Sequence, residues 1–539
     1  MRVGLAQINA TLGDFAGNRE KIVSFTRRAL EKHCDLVVFP ELSIMGYLPN
    51  DLLERRSIVD EQLNEFEKLQ KQLPEGIAVL CGLITRTGKK KGKPHYNSAA
   101  LLIKGKKPKF FHKELLPTYD VFDEARHIEK GRVADGFFKL KGKRILLTIC
   151  EDIWGWELPE HPTNYLENPL VALKKEKVDL VLNMSASPFT FSKARDRRSV
   201  VSLTAKNFKA PMIYVNLVGG QDEVIFDGGS FAVDKTGKEI ARNISFEEDL
   251  NIVDIETLEG GFREENTEMM ERTRQALVLG LRDYVKKTGF SKLHFGLSGG
   301  IDSAVVACLA VDAVGPQNVT GITMPGPFNE EKSKTLSEEL AKNLGIRCLN
   351  LSIGQSYETV LKDFKGAVGD FEFSVVNENM QSRLRGLMMM ALSNKENSML
   401  LTTGNKSEYA TGYSTLYGDM CGGLAPIGDL LKGQVYDLAR HYNSERELIP
   451  VAIIDRPPSA ELRPDQKDQD SLPPYDELDK AVQNLVELQK PAKGKTEKWL
   501  VGVLSKTEFK RWQAAPILKV SGHAFGRGRR MPLAHKARI

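Results

Sequence analysis

A chain of 539 residues is too long for one ordinary hydrophobic core, so two or more domains are expected. Its 41% hydrophobic and 27% charged content is that of a soluble globular protein. A net charge of +5 spread over this length demands no nucleic-acid partner, and no apolar run is long enough to span a bilayer. The six cysteines (Cys34, Cys81, Cys150, Cys308, Cys348 and Cys421) have neither metal-ligand spacing nor the pattern of a disulfide framework, which points to a reducing compartment, the cytoplasm.

Residues 2–8 read as a strand that starts at once, not as a signal peptide. Leu36-Val37-Val38-Phe39-Pro40 is an apolar strand that ends in Glu41. The strand-like run 99–103 is flanked by basic clusters at 89–93 and 104–109; these read as a solvated hairpin rather than an RNA-binding surface. Phe110-Phe111-His112 leads into Lys113, and Ile145-Leu146-Leu147-Thr148-Ile149 leads into Cys150. Three reactive residues thus each stand at the carboxyl end of an apolar strand. If the strands are neighbours, the side chains converge. A cysteine attacks a carbonyl as its thiolate, so it needs a base and a cation close by. Glu41 can take the thiol proton. Lys113, helped by the backbone N–H of Glu151, can stabilise the developing oxyanion. The set suits amide hydrolysis through a thioester, although each residue alone has a plainer reading as packing or turn.

The residues around the three resemble the nitrilase superfamily: Phe39-Pro40-Glu41, His112-Lys113-Glu114-Leu115-Leu116-Pro117 and Cys150-Glu151-Asp152-Ile153-Trp154. The resemblance implies an αββα sandwich. It also implies a second glutamate after the lysine, for which Glu124 is the best match; it would orient the lysine and assist proton transfer.

Glu259-Gly260-Gly261 reads as a stop, and the boundary falls near residue 262, giving domains of 1–262 and 263–539. A charged helix over about 264–287 leads into the second half. Strands at 293–297, 319–324, 347–351 and 399–403 alternate with helices at 304–310, about 329–344 and about 377–394. This alternation predicts a doubly wound parallel sheet with ligands at the carboxyl ends of its strands. Ser298 and Gly404 both sit at such ends. Residues 455–475, rich in proline and aspartate, read as a long surface loop of the kind that is more often functional than idle.

The run Gly296-Leu297-Ser298-Gly299-Gly300-Ile301-Asp302-Ser303 joins the first of these strands to its helix. A glycine turn at a helix N-terminus leaves backbone N–H groups unpaired beside the positive end of the helix dipole, which makes an anion cradle. Ser298 and Ser303 add hydroxyl donors. A carboxylate beside a phosphate cradle repels unless a cation intervenes, so Asp302 implies Mg²⁺. The run is not the common mononucleotide loop: Gly494-Lys495-Thr496 has Gln489 where that loop needs glycine, and it reads as a surface loop. The Ser-Gly-Gly-x-Asp-Ser pattern instead resembles the pyrophosphatase loop of the N-type ATP pyrophosphatases, an adenine nucleotide alpha hydrolase-like fold. Such enzymes cleave ATP between its α and β phosphates and adenylate a second substrate.

An amidase that frees ammonia and an adenylating half that activates a carboxylate form one reaction. Over nearly its whole length the chain resembles the glutamine-dependent NAD⁺ synthetases, through 379–385, 403–408, 417–419, 431–435, 458–462 and 510–516 as well as the motifs above. The resemblance implies glutamine, ATP and deamido-NAD⁺ as substrates and Mg²⁺ held by Asp302 and Glu408. It puts ATP on residues 296–303, Thr403 and Lys432, and deamido-NAD⁺ on Arg383, Glu408, Asp419 and Lys432. It puts glutamine on Tyr119, Ser187 and Lys193; some members carry arginine where Lys193 stands, and a lysine lacks the bidentate fork. It further implies a homo-oligomer with paired synthetase halves, larger rings such as octamers occurring in the family. Asparagine synthetases carry their nucleophilic cysteine at position 2, which is Arg2 here. A tRNA-binding module using the basic tail 527–538 lacks aromatic residues interleaved with the charges.

Overall fold

The computed structural model describes residues 1–158 and 163–535. The chain divides into two compact units, Met1–Asn266 and Thr267–Ile539.

The first unit is built on two sheets. One has seven strands: β1 (Arg2–Gln7), β2 (Leu36–Val38), β3 (Ala78–Arg86), β4 (His95–Ile103), β5 (Lys109–His112), β14 (Asp249–Asp254) and β15 (Glu259–Gly260). They lie in the order β15-β14-β1-β2-β3-β4-β5. The other has six: β6 (Phe137–Leu140), β7 (Lys143–Ile149), β8 (Leu180–Ser185), β9 (Met212–Asn216), β12 (Phe231–Val233) and β13 (Glu239–Arg242), in the order β13-β12-β9-β8-β7-β6. β10 (Val218–Gln221) and β11 (Val224–Asp227) form a separate hairpin.

Alternation along each strand explains the layers. Val3, Leu5, Leu36, Val38 and Leu80 pack with Ile145, Leu147, Leu180, Leu182 and Ile213 between the sheets. Their neighbours point outward. Val37, Val79 and Cys81 meet Ile22, Phe25, Val59 and Phe66 of helices α1 (Phe15–Glu31) and α2 (Arg56–Gln72). Leu146, Val181 and Met212 meet Val200, Val201 and Ala205 of α3 (Lys193–Phe208). The result is an αββα sandwich.

In the second unit α4 (Met269–Lys287) precedes four parallel strands, β16 (Leu293–Gly296), β17 (Val319–Thr323), β18 (Arg347–Asn350) and β19 (Met399–Leu400). Their order is β18-β17-β16-β19. The order reverses between β16 and β19, so the turns that leave these two strands open a crevice at the sheet's carboxyl edge. The first feeds α5 (Ile301–Val314), an apolar helix buried almost all round. Then come α6 (Glu331–Leu344), α7 (Gly354–Val368), α8 (Val375–Glu396), α9 (Lys406–Thr411), α10 (Lys432–Tyr442), α11 (Val451–Asp455), α12 (Tyr475–Val482) and α13 (Lys495–Arg511).

Some expectations shift. The helix expected from about 264 begins at Met269, where the Glu268 carboxylate accepts from the N–H groups of Met270 and Glu271. The strand expected over 399–403 keeps regular pairing only at Met399–Leu400, because Leu401 turns to bridge Leu424. The segment 455–475 is not a surface loop throughout: Glu461, Gln466 and Asp468 are buried. Gly494 is the N-cap of α13 rather than part of a free loop. No helix among the described residues is long and apolar enough to cross a membrane. Residues 536–539, the end of the basic tail, lie outside the described residues.

Candidate active sites

Glu41 and Lys113 follow β2 and β5 of the seven-stranded sheet, whereas Cys150 follows β7 of the other. The convergence therefore spans the two sheets instead of running along one. Lys113 is fully buried and bridges two carboxylates: its Nζ lies 2.7 Å from Glu41 Oε1 and 2.8 Å from Glu124 Oε1. Burial alone would discharge this lysine, but Glu124 and Glu41 outweigh it and hold it protonated. Tyr47 donates to the same Glu124 oxygen at 2.6 Å. Glu41 Oε1 also accepts from Asn97 Nδ2 at 2.7 Å, and Glu41 Oε2 from the Ala186 N–H at 3.1 Å.

Cys150 opens a short 3₁₀ turn, Cys150–Ile153, with φ of 43°, a left-handed conformation uncommon outside glycine. Asp152 holds that turn. One oxygen accepts from the Ile149 N–H, the other from those of Glu114 and Leu115, beside Lys113. Burial and the Glu41 charge push the Cys150 thiol up; Lys113 and a hydrogen bond from the Ala186 N–H oppose them. A thiol that stays protonated at rest needs a base at the moment of attack, and Glu41 stands next to it.

Beside this set, Tyr119 and Tyr165 each donate to Glu151 Oε1 at 2.9 Å. The Lys193 ammonium stands 3.8 Å from the centroid of the Trp154 ring. Burial lowers the Lys193 pKa and raises that of Glu151, while the opposite charges of the two partly restore both. Ser187 is buried, and its N–H donates to Asn216 Oδ1. An acid, a base and hydroxyl groups thus stand together near Cys150.

In the second unit a cavity of about 630 Å³, of a size that buries a nucleotide-like ligand, opens at the sheet's carboxyl edge. Ser298, Gly300, Asp302 and Ser303 line it, with Thr403, Glu408, Asp419 and Lys432. Gly299 has φ of 75°, and a Cβ there would meet the Ser333 carbonyl oxygen at 2.5 Å, so the turn requires glycine. No side chain caps the N-terminus of α5, which leaves its N–H groups for an anion. Lys432 Nζ lies 2.5 Å from Asp302 Oδ2 and 3.6 Å from Glu408 Oε1. Asn405 Nδ2 donates to Asp302 Oδ1 at 2.9 Å. Burial and the Asp302 charge raise the Glu408 carboxyl well above the usual carboxylate range. Asp302 and Glu408 both face the cavity, and carboxylates are hard oxygen donors of the kind Mg²⁺ takes together with phosphates.

Of the residues expected from sequence, Arg383 and Gly299 do not line this cavity; Arg383 is exposed, with its Nε on the Leu416 carbonyl. Arg385 does line it. Its Nε and Nη2 bond Met324 O and Asn329 Oδ1, and burial lowers it to about 10. Asn379 and Lys510 also line the wall. So does the buried segment around Glu461, whose carboxylate gathers Asn329 Nδ2, Ser333 Oγ and Arg456. Asn97, Tyr47 and Arg385 had no spacing signal, since each acts on a partner far away in sequence.

Two family models match. One described as carbon-nitrogen hydrolase covers residues 2–260, and one described as NAD synthase covers 273–514. The chain is 45% identical to the glutamine-dependent NAD(+) synthetase of Synechocystis, over 99% of this chain and 98% of the relative. It is 39% identical to that of Thermotoga maritima, over 99% of each. Among solved structures, the glutamine-dependent NAD⁺ synthetase from Acinetobacter baumannii, in complex with adenosine diphosphate, superposes with a TM-score of 0.77 at 33% identity, covering 99% of this chain and 98% of that one.

Proposed function

The chain belongs to the glutamine-dependent NAD(+) synthetases, and on that premise we propose how its own residues divide the work. It hydrolyses glutamine to glutamate and ammonia, adenylates deamido-NAD⁺ with ATP, and amidates it to NAD⁺ with release of AMP.

In the first unit, glutamine sits with its carboxylate toward Lys193 and its side-chain amide at Cys150, with Tyr119 and Ser187 shaping the pocket. Glu41 takes the thiol proton as sulfur attacks the amide carbon. Lys113 and the Glu151 N–H stabilise the oxyanion. Collapse of this adduct expels ammonia with the proton returned from Glu41, leaving a thioester. Glu41 then deprotonates the water that cleaves it. Glu124 and Tyr47 keep the Lys113 ammonium aimed.

In the second unit the α5 cradle, with Ser298 and Ser303, binds ATP phosphates, and Thr403 and Lys432 contact the nucleotide. Asp302 and Glu408 would hold Mg²⁺, which would neutralise the charge of the phosphates. Asp419, Glu408 and Lys432 face the dinucleotide; Arg383 can join them only by leaving the Leu416 carbonyl. The deamido-NAD⁺ carboxylate oxygen attacks the α-phosphorus and the bond to the β-phosphate breaks, releasing pyrophosphate. Ammonia then attacks the acyl carbon, loses a proton, and AMP leaves.

We place the chain in the cytoplasm as a homo-oligomer with at least paired synthetase halves. Exposed apolar residues on α7 and α8, among them Phe364, Val368, Val375 and Leu387, support a second copy as their cover. All six cysteines are free, in keeping with a reducing compartment.

The observation that carries the reading is the buried Glu41–Lys113–Glu124 bridge beside Cys150, in one chain with the Ser298–Ser303 cradle. The test is a product assay with deamido-NAD⁺, ATP, Mg²⁺ and either glutamine or ammonium. NAD⁺, AMP and pyrophosphate are expected with both donors; stoichiometric ADP would refute the adenylation step.

A further inference from the structure

Asn97 lies in the middle of β4, opposite Ile84 of β3, and is buried. It touches both charged partners of Cys150. Its Nδ2 donates to Glu41 Oε1 at 2.7 Å, and its backbone carbonyl accepts the Lys113 N–H at 2.9 Å. Its own Oδ1 has no hydrogen-bond partner. An amide left with a buried unpaired acceptor is oriented for what its NH₂ group does.

The bonds on Glu41 are unevenly shared. Oε1 accepts two donors, Lys113 Nζ and Asn97 Nδ2, which occupy both of its in-plane lone pairs. Oε2 accepts only the Ala186 N–H, at 3.1 Å, and keeps one lone pair open. Oε2 is therefore the Glu41 oxygen with a lone pair to spare for a proton.

We infer that Asn97 is a positioning residue for the amidase base: by closing Oε1 it reserves Oε2 of Glu41 for the Cys150 proton. Without its donor, the carboxylate can rotate about its terminal torsion, which is broad for glutamate. Either oxygen could then pair with Lys113, and the open lone pair would no longer be held on one oxygen in every enzyme molecule. The proton path is unchanged in kind: from Sγ to Oε2, then to the departing amide nitrogen. The role rests on the glutaminase reading given above.

Two variants test it. Asn97→Leu keeps the volume and removes the donor. Its glutamine kcat should fall about 10–100-fold, as for loss of an outer partner that orients a reacting group. KM for glutamine and the ammonium-driven rate should stay within twofold. Asn97→Asp donates only when protonated; its carboxylate would repel Glu41. The ratio of its kcat to wild type should therefore climb as pH falls from 8.5 to 6, which a space-filling role would not produce. Wild-type kcat in Asn97→Leu would overturn the inference, as would a pH-independent ratio for Asn97→Asp. If Asn97→Leu fails to fold, the Asn97→Asp ratio decides alone. A wild-type enzyme that does not hydrolyse glutamine would instead remove the reading beneath it.

Discussion

Replacing Lys113 with methionine should destabilise the first unit in a pH-dependent way. The side chain is fully buried, with Glu41 and Glu124 at 2.7 and 2.8 Å. Each charge-assisted bond contributes on the order of 1.5–3 kcal/mol, so losing both removes up to about 6 kcal/mol. Proton uptake by one carboxyl offers relief. Glu124 is the candidate, because burial already raises it and Lys113 is what opposes the rise. Starting from the usual glutamate value of 4.5, holding that carboxyl neutral at pH 7 costs about 3.4 kcal/mol, being 2.5 pH units at about 1.36 kcal/mol each. At pH 5.5 the same arithmetic gives about 1.4 kcal/mol. The sign follows: the variant's folded carboxyl titrates above its unfolded value, so stability is retained below pH ~4.5 and lost as pH rises. Urea unfolding at pH 5.5, 7 and 8.5 measures this. Trp154 and Trp156 serve as reporters after Trp499 and Trp512 are changed to phenylalanine, because two units do not unfold as one two-state system. A loss equal at all three pH values, or under about 1 kcal/mol at pH 8.5, would refute the reasoning.

Other outcomes are equally open to measurement. Cys150→Ala should abolish glutamine-driven synthesis and leave ammonium-driven synthesis largely intact; loss of both, with circular dichroism unchanged, would refute the division of labour. Asp302→Asn should cripple synthesis with either donor by roughly 10²–10³-fold, since it weakens both the metal set and the Lys432 pair; a near-normal ammonium-driven rate would refute this. Leu387→Glu on the exposed face of α8 should shift light scattering toward the 60.2 kDa monomer; an unchanged oligomer mass would exclude this face from the interface.

Much of this was legible in the sequence for a physical reason. An apolar strand that ends in one reactive residue marks both an element and its carboxyl edge, and 36–41, 110–113 and 145–150 all carry that mark. The cradle at 298–303 is likewise local: a strand, a turn and a helix within a dozen residues. What the sequence hid is long-range. Asn97 sits in a strand whose alternation reads as ordinary packing, and its partner is Glu41, 56 positions away. Tyr47 reaches Glu124 across 77 positions. The two-sheet origin of the catalytic set was hidden too, because adjacency of strands is not written in any one of them. The loop 455–475 was read as superficial from its proline and aspartate content. Its buried face rests on Glu461, which reaches Asn329 and Ser333, and on Gln466 and Asp468, which bond Leu462 and Tyr475 within the segment.

Two sheets packed face to face are held in register by side-chain interdigitation, without the hydrogen-bond ladder that fixes strands within one sheet. Because Cys150 rides on one sheet and Glu41 and Lys113 on the other, their alignment depends on that contact and on the polar bonds that cross it. Among the polar bonds that cross the seam, two serve as dowels beside Cys150: the Asp152 carboxylate reaching the N–H groups of Glu114 and Leu115, and the Ala186 N–H reaching Glu41. A slide of one sheet by a single residue, about 3.3 Å, would shear both dowels and part sulfur from base while every strand kept its ladder. Cysteine reactivity in this enzyme is therefore a gauge of sheet-to-sheet alignment, able to register a slip that backbone spectroscopy would miss.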